Sequence, residues 1–221
     1  MNAWASYRLQ DFIPFTTDIY FRLLERMGEA FWPLHLLTLA LGAAALILTL
    51  KSRARLASLL IAPLWAFVAL AFFIQRYAEL NWAGSYAGYL FFAQAAILLL
   101  IALASCGMGK PAHWKSPPVV IGMVLAIFGL LGLPLIAPLT GGSWHQAEVF
   151  GIHPDPTAIV TLGLVLIALR SFAMWIAAIV PALWMLISGL TLEVLDAPGA
   201  IALLATLATG VAGLVWKSVC K

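Results

Sequence analysis

TGGSWHQAEVFGIHPDPTAIVTL, residues 140–162, is the stretch around which the rest of the chain is organised. It is the longest polar interruption between two strongly apolar runs. It holds two of the four histidines, His145 and His153, together with two acids, Glu148 and Asp155, and two prolines. Because ionisable groups are costly inside a bilayer, we expect the polar chemistry of this chain to lie at this interruption.

The composition restricts the chain to the class of membrane proteins. Of its 221 residues, 64% are apolar and 10% are charged, whereas about 25% of a soluble domain is usually charged. The apolar residues fall in blocks of about 20, the length that crosses a hydrocarbon layer of roughly 30 Å. The net charge of +3 comes from basic residues scattered in short loops. The expected partner is therefore the lipid bilayer, and no nucleic-acid partner is expected.

Seven apolar runs predict an all-α polytopic fold with seven transmembrane helices. The runs cover roughly 32–50, 56–74, 83–105, 118–139, 157–169, 172–192 and 198–216. Helices satisfy their own backbone hydrogen bonds, as the interior of a bilayer requires. We therefore expect one transmembrane domain over residues 32–221, preceded by an N-terminal periplasmic segment, residues 1–31.

The N-terminal segment has the pattern of an amphipathic helix. Ile19, Leu23, Met27 and Phe31 recur every four residues, and charged residues fill the other face. This pattern predicts a helix that lies in the membrane interface and begins near residues 16–18. No basic stretch followed by an apolar core and a small-residue cleavage site is present, so we expect no signal peptide to be removed.

Charge is divided between the two ends of the predicted bundle. If the N-terminus faces outward, the inner loops hold eight of the twelve basic residues and none of the nine acids. These eight are Lys51, Arg53, Arg55, Lys110, Lys115, Arg170, Lys217 and Lys221, and the outer side has Arg8, Arg22, Arg26 and Arg76. The positive-inside rule then places the N-terminus in the periplasm and the C-terminus in the cytoplasm. Cys106 and Cys220 would face the reducing cytoplasm as unpaired thiols.

The fifth apolar run is too short to cross the hydrocarbon layer as a straight, fully lipid-exposed helix. Its thirteen residues, Thr157 to Leu169, reach about 20 Å against a core of roughly 30 Å. Arg170 could extend toward the inner surface, or the turn at 153–156 could dip below the outer surface into a wet or protein-lined cavity. A tilted neighbour and a locally thinned bilayer would also accommodate it.

Two parts of the chain match as a weak internal repeat. Residues 33–39 and 156–162 share the pattern P-x4-T-L, and Pro63 and Pro181 each stand just before a tryptophan in a later run. Both halves begin outside, which predicts parallel repeats in a 3+1+3 bundle with the fourth run as connector. The arrangement resembles that of sugar-efflux and vitamin-uptake transporters of the 3+1+3 type. Pro63 and Pro181 are candidate bends, because proline removes a backbone hydrogen bond.

Polar residues near the outer ends of the runs form the candidate ligand-binding site. His35 lies inside the first run, about one helical turn below its outer end. The residues expected at similar depth, or in the loop that covers the site, are Glu29, Arg76, Tyr77, Glu79, Asn81, Trp144, His145, Glu148, His153 and Asp155. No catalytic residue is assigned, because no nucleophile and base pair stands in a known catalytic motif.

The sequence does not decide whether a metal ion binds at this end of the bundle. His145-x-x-Glu148 and His153-x-Asp155 have workable local spacing for metal ligands, and His35 or Glu29 could complete the set from another element. The alternative is a hydrogen-bonded outer cap, since no HExxH motif or His/Cys cluster is present. The sequence specifies no cofactor, and whether the protein is an enzyme stays open.

Three motifs stand out along the chain: Phe12-Ile13-Pro14-Phe15-Thr16, Glu29-Ala30-Phe31-Trp32-Pro33 and Phe150-Gly151-Ile152-His153-Pro154-Asp155-Pro156-Thr157. On these motifs the chain resembles, nearly end to end, a family of bacterial multi-span membrane proteins of unknown function. The resemblance implies a multi-pass protein of the bacterial inner membrane. It implies no activity, cofactor or catalytic residue.

Three function classes follow. The first is a protein that binds a small solute or ion in a periplasm-facing pocket and moves it across the membrane. The second is an accessory or structural subunit of a membrane complex, and the third is a periplasm-facing, metal-dependent membrane enzyme with His145, His153 and Asp155 as ligands or bases. Substrate, direction of transport, coupling and oligomeric state are not determined by the sequence.

Overall fold

The computed structural model describes residues 13–109 and 114–219, which form helices and loops without a β-strand. The helices are α1 (Thr17–Ala30), α2 (Leu34–Leu50), α3 (Ala54–Leu80), α4 (Gly84–Ala104), α5 (Pro117–Leu139), α6 (Pro154–Ala168), α7 (Ser171–Val194) and α8 (Ala200–Val219). Both α3 and α5 contain a π-helical segment, at Ala69–Tyr77 and Phe128–Gly132. The predicted all-α class is confirmed. Arg8, Phe12, Lys110, Cys220 and Lys221 lie outside the described residues.

Five of these helices, α3, α4, α5, α7 and α8, are long and apolar enough to cross a membrane. A sixth crossing is reached if α1 and α2, which meet at a 90° bend, count as one broken span. At 15 residues, α6 is apolar but shorter than a full crossing. The apolar helices are therefore compatible with a membrane protein of five or six crossings, and the seventh crossing stays a prediction.

The short helix α6 is the centre of the bundle. Every residue from Val149 to Leu169 is buried, and α6 contacts α2, α3, α5, α7 and α8. A helix that is apolar on all faces is stable when protein surrounds it on all faces. Other helices, rather than lipid, therefore enclose the fifth run.

Two glycines allow α5 and α6 to cross at very short range. A Cβ atom on Gly122 would stand 2.6 Å from the Gly163 carbonyl oxygen, and one on Gly163 would stand 2.5 Å from the Gly122 oxygen. Neither backbone can yield to a side chain here, so the crossing requires both glycines. At the end of α6, the Lys217 ammonium donates to the carbonyl oxygens of Leu166 and Ile167, which would otherwise lack partners.

Cross-helix hydrogen bonds compensate for Pro181 and hold Trp65, two residues of the predicted repeat. Pro181 has no N–H to donate to the carbonyl of Ala177, and Gln94 Nε2 on α4 donates to that oxygen at 2.9 Å instead. Trp65 Nε1 on α3 donates to Thr161 Oγ1 on α6 at 2.8 Å. These bonds connect α3, α4, α6 and α7 in the bundle interior.

The amphipathic helix α1 is confirmed, but its buried face is rotated from the predicted one. Tyr20, Leu23, Leu24 and Met27 are buried, whereas Ile19 is 40% exposed. The buried set follows the i, i+3, i+4, i+7 spacing of a helix, while a strict spacing of four drifts around the axis. The helix packs on the turn at Trp144–Gln146, so protein covers its apolar face.

The start of α6 corrects the sequence prediction. Residues 153–156 were expected to form a turn ahead of a helix at Thr157, but α6 begins at Pro154 with His153 as its N-cap residue. Both Pro154 and Pro156 fall in the first turn, where the backbone N–H groups have no partner inside the helix. Asp155 is consequently held by helix geometry.

Candidate functional site

The loop ahead of α6 is folded back on the helix by short hydrogen bonds. Val149 N donates to His153 Nδ1 at 3.0 Å, and Gly151 N donates to Thr157 Oγ1 at 2.8 Å. The Thr157 hydroxyl in turn donates to the His153 carbonyl at 2.6 Å. The positions of Glu148, His153 and Asp155 are therefore set by one rigid segment.

Asp155 is buried, and both of its carboxyl oxygens accept hydrogen bonds from α7. Trp184 Nε1 donates to Oδ1 at 2.6 Å, and Ser188 Oγ donates to Oδ2 at 2.7 Å. Residues 184 and 188 are one helical turn apart and therefore project from the same face. Asp155 is 1% exposed, and its carboxyl group is held by two donors.

Glu148 lies beside Asp155, but one of its carboxyl oxygens is unsatisfied. Oε2 is buried and has no hydrogen-bond partner. Burial raises the pKa of Glu148 well above its ordinary value, and the charge of Asp155 raises it further. Both residues line a cavity of about 20 Å³, which is room for one water molecule. Glu148 therefore keeps a proton at pH values where an exposed glutamate has lost it.

Tyr20 of α1 packs over the cluster from the side of the N-terminal helix. Its side chain is 5% exposed, and its hydroxyl interacts with Ser188 within electrostatic reach of Glu148 and Asp155. Thr17 Oγ1 donates to the Leu195 carbonyl at 2.8 Å, which ties the start of α1 to the end of α7. The amphipathic helix is thus a cover over the two carboxyl groups.

His153 and His35 form the second half of the cluster. Their ring centroids are 6.4 Å apart, and His153 is fully buried. Burial, and next the proximity of His35, lower the pKa of His153 to about 3. Because Nδ1 accepts from Val149, the neutral ring carries its hydrogen on Nε2. That nitrogen makes no hydrogen bond, although the Leu24 carbonyl lies near enough to act on its pKa.

The structure brings together four of the eleven predicted site residues, His35, Glu148, His153 and Asp155. The residues that it leaves exposed to the surroundings are Glu29, Glu79, Trp144 and His145. Arg76 donates to the Ala71 carbonyl at 2.7 Å and packs over the Phe31 ring. These five residues are not packed inside the cluster, although His145 lies within electrostatic reach of His35.

Tyr77 and Asn81, the two remaining predicted residues, line a groove between the end of α3, α4 and α7, and Tyr77 also lies within electrostatic reach of Asp155. The groove has a volume of about 390 Å³ and is mostly apolar. Trp184 lines it as well, and the same indole donates to Asp155. One ring therefore separates the groove from the carboxyl pair.

Tyr20, Trp184 and Ser188 belong to the cluster but were not predicted as site residues. Trp184 stood out as the tryptophan that follows Pro181, and Ser188 lies one turn beyond it on the same face. The only signal in the sequence for Ser188 was its position one turn from a tryptophan inside an apolar run. Tyr20 could not be assigned from the sequence, because the buried face of α1 differs from the predicted face.

The metal site that the sequence left open is not found in the part of the chain that the structure describes. No three His, Cys, Asp or Glu side chains within residues 13–109 and 114–219 converge closely enough to hold a metal ion. His145 is exposed. The cluster holds two carboxyl groups side by side and two histidine rings side by side, in separate halves.

Fold and cluster together define a class: an all-helical protein with apolar helices compatible with a membrane and a buried carboxyl pair among them. The chain belongs to DUF6064, a family of unknown function whose model matches residues 17–221. The matched region contains every helix named above. No curated protein and no solved structure matches the chain. Family membership therefore assigns no activity, and bacterial origin stays a prediction.

Proposed function

We propose that this protein is a seven-span protein of the bacterial inner membrane that binds a proton at the Glu148–Asp155 pair from the periplasmic side and moves it inward. The supporting observation is that two buried carboxyl groups lie together with no basic side chain against them among the described residues. Buried charges need a partner or are neutralised by protonation. A bound proton supplies that neutralisation.

The geometry favours a proton over a solute or a metal cation. The cavity beside the pair holds about 20 Å³, far below the several hundred Å³ of a small-molecule site. Both oxygens of Asp155 already accept hydrogen bonds, so Glu148 Oε2 is the oxygen that remains open. A dehydrated cation needs several oxygen ligands, whereas a proton needs one or two.

Charge partition supports the proposed topology. In the proposed seven-span arrangement, α2 with 17 residues and α6 with 15 residues are short crossings beside the five full-length helices. The acids then face the periplasm and most basic residues face the cytoplasm. The predicted 3+1+3 repeat, with bends at Pro63 and Pro181, would let the two halves move against each other around α6.

Binding is tested by infrared spectroscopy of the purified protein. We expect wild type at neutral pH to show the carbonyl band of a protonated, buried carboxyl group, and Glu148→Gln to lack it. Glu79→Gln removes an exposed acid at the same end and is the matched control. A wild-type spectrum without a protonated carboxyl, or an unchanged band in Glu148→Gln, would contradict the proposal.

Movement is tested separately in liposomes that enclose a pH-sensitive dye. A membrane potential that is negative inside the liposomes should drive acidification of the lumen with wild type and with Glu79→Gln, but not with Glu148→Gln. Equal acidification by wild type and Glu148→Gln would exclude the pair as the route.

An accessory subunit of a membrane complex is the second candidate. The observation in its favour is the open apolar groove, flanked by Trp82 and Tyr86, which are 74% and 64% exposed. Large exposed aromatic side chains beside a groove are typical of an interaction surface. A partner that copurifies in mild detergent and is lost in Tyr86→Ser would support this candidate.

A further inference from the structure

The small cavity beside the carboxyl pair reaches from the buried carboxyl groups toward the surface of the protein. Its inner end is lined by Asp155, which is 1% exposed. Its outer part is lined by Pro198, which is exposed, and by Phe21 and Ala137, which are partly exposed. The cavity therefore opens between α1, the end of α5 and the start of α8, and we call it the entry cavity.

The two carboxyl groups differ in their access to the entry cavity. Glu148 is partly exposed as a residue, whereas Asp155 is buried. Glu148 Oε2 makes no hydrogen bond, so it can take a proton without losing a partner. Each oxygen of Asp155 already accepts from α7. A proton that arrives through the cavity therefore meets Glu148 Oε2 as the open acceptor.

The other sides of the carboxyl pair are closed by packed side chains in the part of the chain that the structure describes. On the side of the apolar groove, the Trp184 ring is 8% exposed, and its N–H donates to Asp155 at 2.6 Å. The ring cannot turn out of the way without losing that bond. On the side of the histidines, His153 and Thr157 are fully buried.

The dimensions of the entry cavity favour a proton over a metal cation. Its volume of about 20 Å³ is room for one water molecule. Glu148 and Gln146 both line it and supply polar groups, and the Gln146 side chain is held in place because Ser143 N donates to its Oε1 at 3.2 Å. A proton can pass from such a water to a carboxyl oxygen, whereas a cation would first have to lose most of its hydration shell.

We infer that the entry cavity is the route by which the carboxyl pair exchanges its proton with the water outside, and that Glu148 is the first acceptor. This inference rests on the proposed function, since it assumes a protonated carboxyl group at the pair. Ala137 determines access, because its small side chain leaves the outer part of the cavity open between Phe21 and Pro198. A bulky side chain at position 137 would close the route without touching either carboxyl group.

The test is the rate at which the buried carboxyl group exchanges hydrogen for deuterium. Purified wild type is mixed rapidly with D₂O, and the shift of the protonated-carboxyl band to lower frequency is followed by infrared spectroscopy. We expect Ala137→Phe to slow this shift at least about tenfold, because exchange must then wait for a local opening of the bundle. Ala87→Phe is the matched control. It adds the same bulk to the apolar groove on the far side of Trp184 and should exchange as fast as wild type.

A second variant applies if Ala137→Phe lowers the melting temperature. Ala137→Cys in a cysteine-free background keeps a small side chain during folding and is modified afterwards with a bulky methanethiosulfonate reagent. Modification should slow exchange, and removal of the group by a reducing agent should restore the rate. Ala87→Cys, treated in the same way, should show no change.

The outcomes separate the route from the proposed function. If the band is present but exchanges at the wild-type rate in both blocked variants at position 137, the route is overturned and proton binding at the pair still holds. Equal slowing by Ala137→Phe and Ala87→Phe would also overturn the route. A wild-type spectrum without the band would overturn the proposed function, and this inference with it.

Discussion

The two carboxyl groups of the cluster differ in how many hydrogen bonds they accept. Asp155 has a donor on each oxygen, whereas Glu148 Oε2 has none. Donors stabilise a carboxylate, and their absence favours the protonated acid. The pair is therefore asymmetric, and Glu148 is the member expected to hold the proton.

Replacing Glu148 should change how stability depends on pH. Because the pKa of Glu148 is raised in the folded protein, its contribution to stability is fully present below the ordinary value of 4.5 and declines as pH rises above it. Glu148→Gln should make this decline smaller in thermal unfolding in detergent. Glu79→Gln should keep it. An identical pH profile in wild type and Glu148→Gln would contradict the burial of this carboxyl group.

Replacing His153 should act in the opposite direction. The pKa of His153 falls from 6.5 to about 3 on folding, so its contribution is present above pH 6.5 and lost as pH falls toward 3. The loss should reach a few kcal/mol and be absent in His153→Gln, whose amide oxygen can still accept from Val149. His145→Gln, at an exposed histidine, should behave as wild type. The comparison is made in a Glu148→Gln background, which removes the opposite contribution of Glu148. Equal stability at pH 4 and pH 7 in that background would disprove the effect.

At the scale of residues, the sequence predicts the ionisable members of the cluster and misses their partners. His35, Glu148, His153 and Asp155 stand out because ionisable groups are rare in so apolar a chain. Ser188 does not stand out, since an isolated hydroxyl is common in membrane helices. Which face of a helix meets another depends on rotation about the helix axis, and apolar residues on all faces leave that rotation undetermined.

For α6, the length of the apolar run determines neither where the helix begins nor what surrounds it. The run was predicted to be short, and it is, but its proline-rich start belongs to the helix and its neighbours enclose it. Lipid-facing and protein-facing apolar residues have the same composition. Central burial of α6 was therefore not predictable from the chain.

The crossing of α5 and α6 should tolerate no added side chain. Gly122→Ala would place its Cβ against the backbone oxygen of Gly163 at 2.6 Å, and overpacking of this kind costs about 1–3 kcal/mol. Gly189→Ala is the control, because its Cβ would meet the movable end of the Leu204 side chain. Melting temperatures in detergent should fall clearly for Gly122→Ala and little for Gly189→Ala. The reverse order would show that the crossing is looser than described.

The bond from Gln94 to the carbonyl left open by Pro181 should be measurable with a double-mutant cycle. Gln94→Met leaves the Ala177 oxygen buried without a donor, at a cost of about 1–3 kcal/mol. In a Pro181→Ala background, residue 181 regains an N–H that can donate to Ala177, so Gln94→Met should cost less there. Unfolding free energies of the four proteins give the coupling. A coupling of zero would mean that Gln94 does not compensate for the proline.

For the whole molecule, the order of apolar runs and the separation of charge were readable from composition and spacing. The number of crossings was not, because a 17-residue helix after a 90° bend and a 15-residue buried helix satisfy no simple length rule. Likewise, the 3+1+3 repeat rests on short patterns in apolar helices and stays a prediction.

Cysteine labelling checks the topology. In a cysteine-free background, a membrane-impermeant maleimide added to intact cells should label Trp144→Cys and not Lys51→Cys, both at exposed positions. Ser218→Cys should behave like Lys51→Cys, because α2 and α8 end at the same side. Labelling of both Trp144→Cys and Lys51→Cys would contradict their placement on opposite sides of the membrane. Labelling of Lys51→Cys alone would contradict the proposed orientation.

Trp184 has one edge in the apolar groove and its N–H on Asp155. A hydrophobic compound that wedges into the groove and turns this indole would strip the aspartate of a donor without touching it. We therefore expect a compound that binds in the groove to change the hydrogen bonding of the carboxyl pair indirectly. A shift in the fluorescence emission maximum of Trp184, measured in a variant that has no other tryptophan, would show that such a compound has bound.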